Sequence, residues 1–104
     1  MSNSRYTILL EMLEKQPTDL FLQYALAMEY LGMHKYDKAQ ILFEQIIGVD
    51  QHYVAAYYQL GKLLELTNEG KAIQVYEKGM DEAQLKNDRK TVNEFRSALD
   101  ELLY

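Results

Sequence analysis

The sequence predicts an all-α fold, a right-handed superhelix of about six antiparallel helices, and three observations lead there. Apolar residues recur at helical spacing along almost the whole chain. Capping residues punctuate it at short intervals. Whole helix pairs then repeat at an offset of 33 to 34 residues.

Each element follows from its apolar stripe. Ile8, Leu9, Met12 and Leu13 mark a first helix in segment 3–16, ended by Pro17. Leu22, Leu26, Ala27, Tyr30 and Leu31 mark a second that stops near Gly32. Ala39, Leu42, Phe43, Ile46 and Ile47 mark a third that stops near Gly48. The fourth carries Ala56, Tyr57, Leu60, Leu63 and Leu64; the fifth carries Ala72, Ile73, Tyr76 and Met80 and runs toward Lys86. Val92, Phe95, Leu99 and Leu102 form the stripe of a sixth. Thr18 or Asp19, Asp50, Thr67 or Asn68, and Asp88 stand where side-chain oxygens can accept from unpaired first-turn amides. Linkers this short leave consecutive helices little choice but to pack antiparallel. Period-two alternation, the signature of strands, is missing.

Length and composition bound the function. A chain of 104 residues suits a single domain, 1–104, in which every helix must contribute an apolar face. Sixteen acidic against 11 basic residues give a net charge of −5, which disfavours phosphate backbones, so no nucleic-acid partner is expected. No run approaches the length of a membrane span, and no secretory leader is apparent, so a cytoplasmic location without membrane contact is expected. Cysteine is absent, which removes disulfides, thiolate metal sites and thiol nucleophiles.

The internal repeat organises the rest. Tyr24, Leu26, Ala27 and Tyr30 align with Tyr58, Leu60, Gly61 and Leu64 at an offset of 34. Lys38, Ala39, Phe43 and Glu44 align with Lys71, Ala72, Tyr76 and Glu77 at an offset of 33, one residue being lost from the second inter-helix turn. Leu9, Met12 and Leu13 lie 34 residues before Phe43, Ile46 and Ile47, so the chain opens on half a repeat. The organisation expected is a half-repeat helix at 3–16, repeats at 18–50 and 51–86, and a capping helix at 88–104. Small residues are expected where helices touch, Ala27 against Ala39 and Gly61 against Ala72, with Phe43 and Tyr76 filling the space between successive hairpins. The last helix would cover the end of the stack with a wet outer face; a detachable switch helix is the other reading.

Over residues 5–86 this pattern resembles the tetratricopeptide repeat family, in particular its small stand-alone bacterial members. The family's run of large, Leu, small, aromatic, small, aromatic, small and Pro falls on Gln23, Leu26, Ala27, Tyr30, Ala39, Phe43, Ile46 and Gln51. In the second repeat it falls on Tyr57, Leu60, Gly61, Leu64, Ala72, Tyr76, Gly79 and Gln84. Gln23, Ile46 and the missing prolines after Pro17 depart from it.

The resemblance implies a non-catalytic scaffold that holds a peptide or helix of a partner protein in a concave groove lined by the first helix of each hairpin. Carried over residue by residue, the groove would be lined by Phe21, Tyr24, Met28, Leu31 and Gly32, then Ala55, Tyr58, Lys62, Glu65 and Leu66. Of these, Phe21, Tyr24, Met28, Leu31, Tyr58, Lys62 and Glu65 are the protein-binding candidates. The plainer alternative is that Phe21 packs on the first helix and the tyrosines lean on their neighbours. Family members that clasp acidic chaperone tails use one lysine and two asparagines in places held here by Tyr24, Met28 and Gln59, so that clamp is absent. A self-associating structural protein, or an accessory subunit of a larger complex, is the alternative function.

No catalytic, cofactor-binding or metal-binding residue emerges. His34 and His52 fall in separate turns, without the convergent partners a metal or a general base needs, and read as ordinary turn histidines. The five glycines are scattered, unlike a phosphate-binding loop. The run Lys86-Asn87-Asp88-Arg89-Lys90 reads either as a solvated helix start or as a site for an acidic partner.

Overall fold

The computed structural model describes residues 4–104, and the described residues form six α-helices and no strand. The start of the first segment at residue 3 lies outside them. The helices fall into two compact units. The first ends at Val49 and holds α1 (Ser4–Lys15), α2 (Leu20–Gly32) and α3 (Tyr36–Val49). The second spans Asp50–Tyr104 and holds α4 (Val54–Leu64), α5 (Glu69–Leu85) and α6 (Arg89–Leu103).

Three of the expected caps form. Asp19 Oδ1 accepts from the amide of Leu22 at 3.0 Å, Asn68 Oδ1 from Lys71 at 3.1 Å and Asp88 Oδ1 from Thr91 at 3.1 Å. Asp50 does not cap α4. Its carboxylate turns back on the amide of His52 at 2.9 Å, an Asx turn, and α4 begins only after Tyr53. Gly32 is still helical, and the left-handed residue that stops α2 is His34, at φ 60. Asn87, at φ 55, does the same after α5. In both turns the amide that follows reaches back to the last helical turn, Lys35 to the Tyr30 carbonyl at 2.8 Å and Asp88 to that of Ala83 at 3.0 Å.

In the first unit, α2 lies between its partners in sequence, packing on both α1 and α3. Leu9, Leu22, Leu26, Ala27, Ala39, Phe43 and Ile46 are buried, with Ala27 and Ala39 fully so, as close helix approach requires. Arg5 bridges to Glu29 at 3.4 Å, and the Tyr6 and Tyr30 rings meet at 5.8 Å, tying α1 to α2.

In the second unit, α5 packs on both α4 and α6, and two glycines decide how. A Cβ on Gly61 would land in the ring of Tyr76, so this glycine makes room for an aromatic ring. A Cβ on Gly79 would come within 2.5 Å of the Phe95 ring and 2.7 Å of Tyr57 Cβ. Here Tyr76 therefore sits inside its own hairpin, against Gly61, with Phe95 of α6 at 6.2 Å. Tyr57, Tyr76 and Phe95 are all buried.

These contacts separate the glycines by consequence. Gly61→Ala and Gly79→Ala should each destabilise the protein by about 1–3 kcal/mol through overpacking. Gly48→Ala, whose Cβ would meet nothing within 4 Å, should leave stability unchanged or slightly raised. Denaturant midpoints of the three variants check this, and equal midpoints would remove the packing role of both buried glycines.

Candidate functional site

On α2, Phe21, Tyr24, Met28 and Leu31 follow one another at intervals of three and four residues, which places them on one stripe of the helix. Leu22, Leu26 and Ala27, turned to the core, leave that stripe outward. Phe21 is 69% exposed and Met28 38% exposed, while Leu31 is half-buried. Phe21 therefore does not fold down onto the first helix. Tyr24 is half-buried and meets Phe43 edge-on, ring centroids 5.7 Å apart, so its ring is fixed by a fully buried neighbour. Elsewhere on the same helix, Lys38 from α3 places its ammonium 5.7 Å from the Tyr30 ring. Burial, then a hydrogen bond and the charge of Tyr6, raise the Tyr30 phenol above its ordinary range.

The corresponding stripe of α4 is built differently. Tyr58 is half-buried against Tyr76 at 6.0 Å and against Phe95 at 5.6 Å, the latter ring edge-on. The Lys62 ammonium lies 5.5 Å above the Tyr58 ring. Glu65, which closes α4, accepts a short hydrogen bond from the Tyr76 hydroxyl. Tyr58, Lys62 and Glu65 thus share a patch, but Tyr58 and Glu65 are engaged within the unit. Lys62 and the flanking Ala55 and Leu66 are its exposed members. Phe95 was legible as part of the apolar stripe of α6; its seat on Tyr58 has no counterpart in the sequence spacing.

His52 also has a role that its turn position does not reveal. Its Nδ1 lies 2.7 Å from Glu82 Oε1, and Glu82 is the buried charged residue among those described. Lys86 Nζ donates to the His52 carbonyl at 2.7 Å, and Tyr57 OH donates to the Gln51 carbonyl at 2.8 Å. Four side chains thereby fasten the turn before α4 to the helices behind it. Burial, then the charges of Glu82 and Asp50, raise the Tyr57 phenol. His34, by contrast, stays in its turn with its ring 5.8 Å from that of Tyr36. Among the described residues no three His, Cys, Asp or Glu side chains gather as a metal site would need. None of their helices is long and apolar enough to cross a membrane.

No family model matches the chain, and no curated protein does. Solved structures do. The solution structure of a tetratricopeptide repeat domain protein from Salinibacter ruber is 36% identical, covers 84% of this chain and 89% of its own, and superposes with a TM-score of 0.79. The crystal structure of a tetratricopeptide repeat domain protein from Salinibacter ruber, also 36% identical, covers 81% of this chain and 94% of its own at a TM-score of 0.77. The solution structure of a protein from Bordetella parapertussis, 26% identical, covers 98% of this chain and 89% of its own at 0.84.

The buried phenols should impose an alkaline limit on stability. Desolvation, followed by the hydrogen bond and charge of Glu65, pushes Tyr76 far above the ordinary phenol value of 10.0. A raised pKa in the fold means stability that is complete below the unfolded value and is lost as pH climbs beyond it. Helicity followed by circular dichroism should therefore fall above about pH 10. Tyr76→Phe should flatten that fall; an unaltered alkaline profile would exclude the Tyr76 phenol as its cause.

Proposed function

The chain belongs to the tetratricopeptide repeat family, and from that premise we propose that it is a non-catalytic module that holds a segment of another protein. The α2 stripe of Phe21, Tyr24, Met28 and Leu31 is the proposed principal contact, and the α4 patch of Tyr58, Lys62 and Glu65 an accessory one. The observation that supports this most is the exposure of Phe21 and Met28 beside a tyrosine already fixed by Phe43. A large ring and a flexible thioether offer apolar area and adaptable shape, and a pre-positioned tyrosine loses little freedom on binding. The stripe carries no charge, so its occupant is an apolar peptide or helix. The cysteine-free composition is consistent with a cytoplasmic setting.

One observation favours a second reading, self-association. On α1, Ile8 and Met12 are one turn apart and 53% and 41% exposed. A second copy could cover them.

The double variant Phe21→Glu and Met28→Glu should weaken capture of the co-purifying partner by roughly tenfold or more. Its thermal unfolding should match wild type, because both residues are exposed. Undiminished capture would refute the α2 assignment. Light scattering across a concentration series tests the other reading: Ile8→Glu with Met12→Glu should abolish any dimer, and a wild type that stays monomeric at high concentration excludes it.

A further inference from the structure

At the turn joining α5 to α6, the second unit has a cleft of about 380 Å³ lined by polar and cationic side chains. Its walls are Gln84, Asn87, Asp88, Arg89, Asn93 and Arg96, with buried Val92 beneath. Residues 84–96 carry four cations against two carboxylates, in a chain whose net charge is −5. The guanidinium of Arg89 makes no ion pair or hydrogen bond among the described residues, and that of Arg96 bonds only Asn93 Oδ1, at 3.0 Å. The carboxylate on the rim, Asp88, is already committed. It accepts from both the amide and the hydroxyl of Thr91, at 3.1 and 2.7 Å, to cap α6.

We propose that this cleft binds an acidic peptide segment, with Arg89 and Arg96 each receiving one carboxylate. The spacing specifies the segment further. Seven residues of helix separate the two arginines and return them to nearly the same face, about 10 Å apart along the axis. A chain in the polyproline II conformation covers about 9 Å in three residues and returns residues three apart to the same face. The preferred ligand is therefore a polyproline II segment with acidic side chains three positions apart. Guanidinium groups suit this role because their planar donors match both carboxylate oxygens. The amides of Gln84, Asn87 and Asn93 offer donors and acceptors to the backbone between. This site shares no residue with the α2 stripe, so the two stand or fall separately.

The test uses the full chain and fluorescence anisotropy with a labelled Gly/Ser peptide bearing two aspartates three positions apart. Saturable binding is expected, weakened about tenfold by Arg89→Gln with Arg96→Gln. Lys71→Gln, which removes one cation at the far end of α5, should bind as wild type, as should Phe21→Glu with Met28→Glu. Peptides with adjacent aspartates, or with asparagines in their place, should bind more weakly. Matching circular dichroism melts show that the arginine variants stay folded. The proposal fails if the wild type does not bind, if Lys71→Gln costs as much as the arginine pair, or if aspartate spacing has no effect. It fails equally if inorganic phosphate or a short RNA displaces the peptide as readily as unlabelled peptide does, since the cleft would then be a general anion site.

Discussion

Within each unit, helices that follow one another in sequence pack together, and how closely they approach is decided by what stands at their contact points. In the second unit that constraint is met by absence. Gly61 and Gly79 present no side chain, and the rings of Tyr76 and Phe95 occupy the space. From those two insertions follow the burial of Tyr57 and Tyr76, the reach of the Tyr76 hydroxyl to Glu65, and the seat of Phe95 on Tyr58. The first unit solves the same problem with Ala27 and Ala39, and its aromatic contact, Tyr24 on Phe43, stays nearer the surface.

That difference gives α2 and α4 different characters despite their common register. On α2 the outward stripe keeps a bare phenylalanine and a methionine. On α4 the equivalent stripe is partly consumed by the unit itself: Lys62 covers the Tyr58 ring and Glu65 is bonded to Tyr76. Equivalent sequence positions therefore do not offer equivalent surfaces, and the first unit has the more available apolar area.

Much of the fold was legible because helix periodicity and repeat register are local signals. The six helices, the cap at Asp88, the caps at Thr18 or Asp19 and at Thr67 or Asn68, and the small residues at helix contacts are all readable from residues close in sequence. What was not legible depends on partners far along the chain. His52 looks like any turn histidine until α5 brings Glu82 beside it, 30 residues later. Asp50 has the right type and place for a cap, yet a carboxylate that can bond two residues ahead closes a turn instead. His34 rather than Gly32 takes the left-handed position, because the chain bends two residues later than composition suggests. The stripe on α2 was readable as a helical face; its exposure was not, since that depends on whether Phe21 turns toward its neighbours or away from them.

The pairing of each buried glycine with a ring also constrains how this sequence can vary over evolutionary time. Positions 61 and 76, and likewise 79 and 95, behave as lock and key cut from a single blank: neither member can be altered in size while the other is held. A lineage could enlarge residue 61 only after residue 76 had shrunk, and the intermediate would carry a void. Change at these sites should therefore arrive in pairs, and the second unit should tolerate far fewer single-step substitutions than its helical content alone suggests.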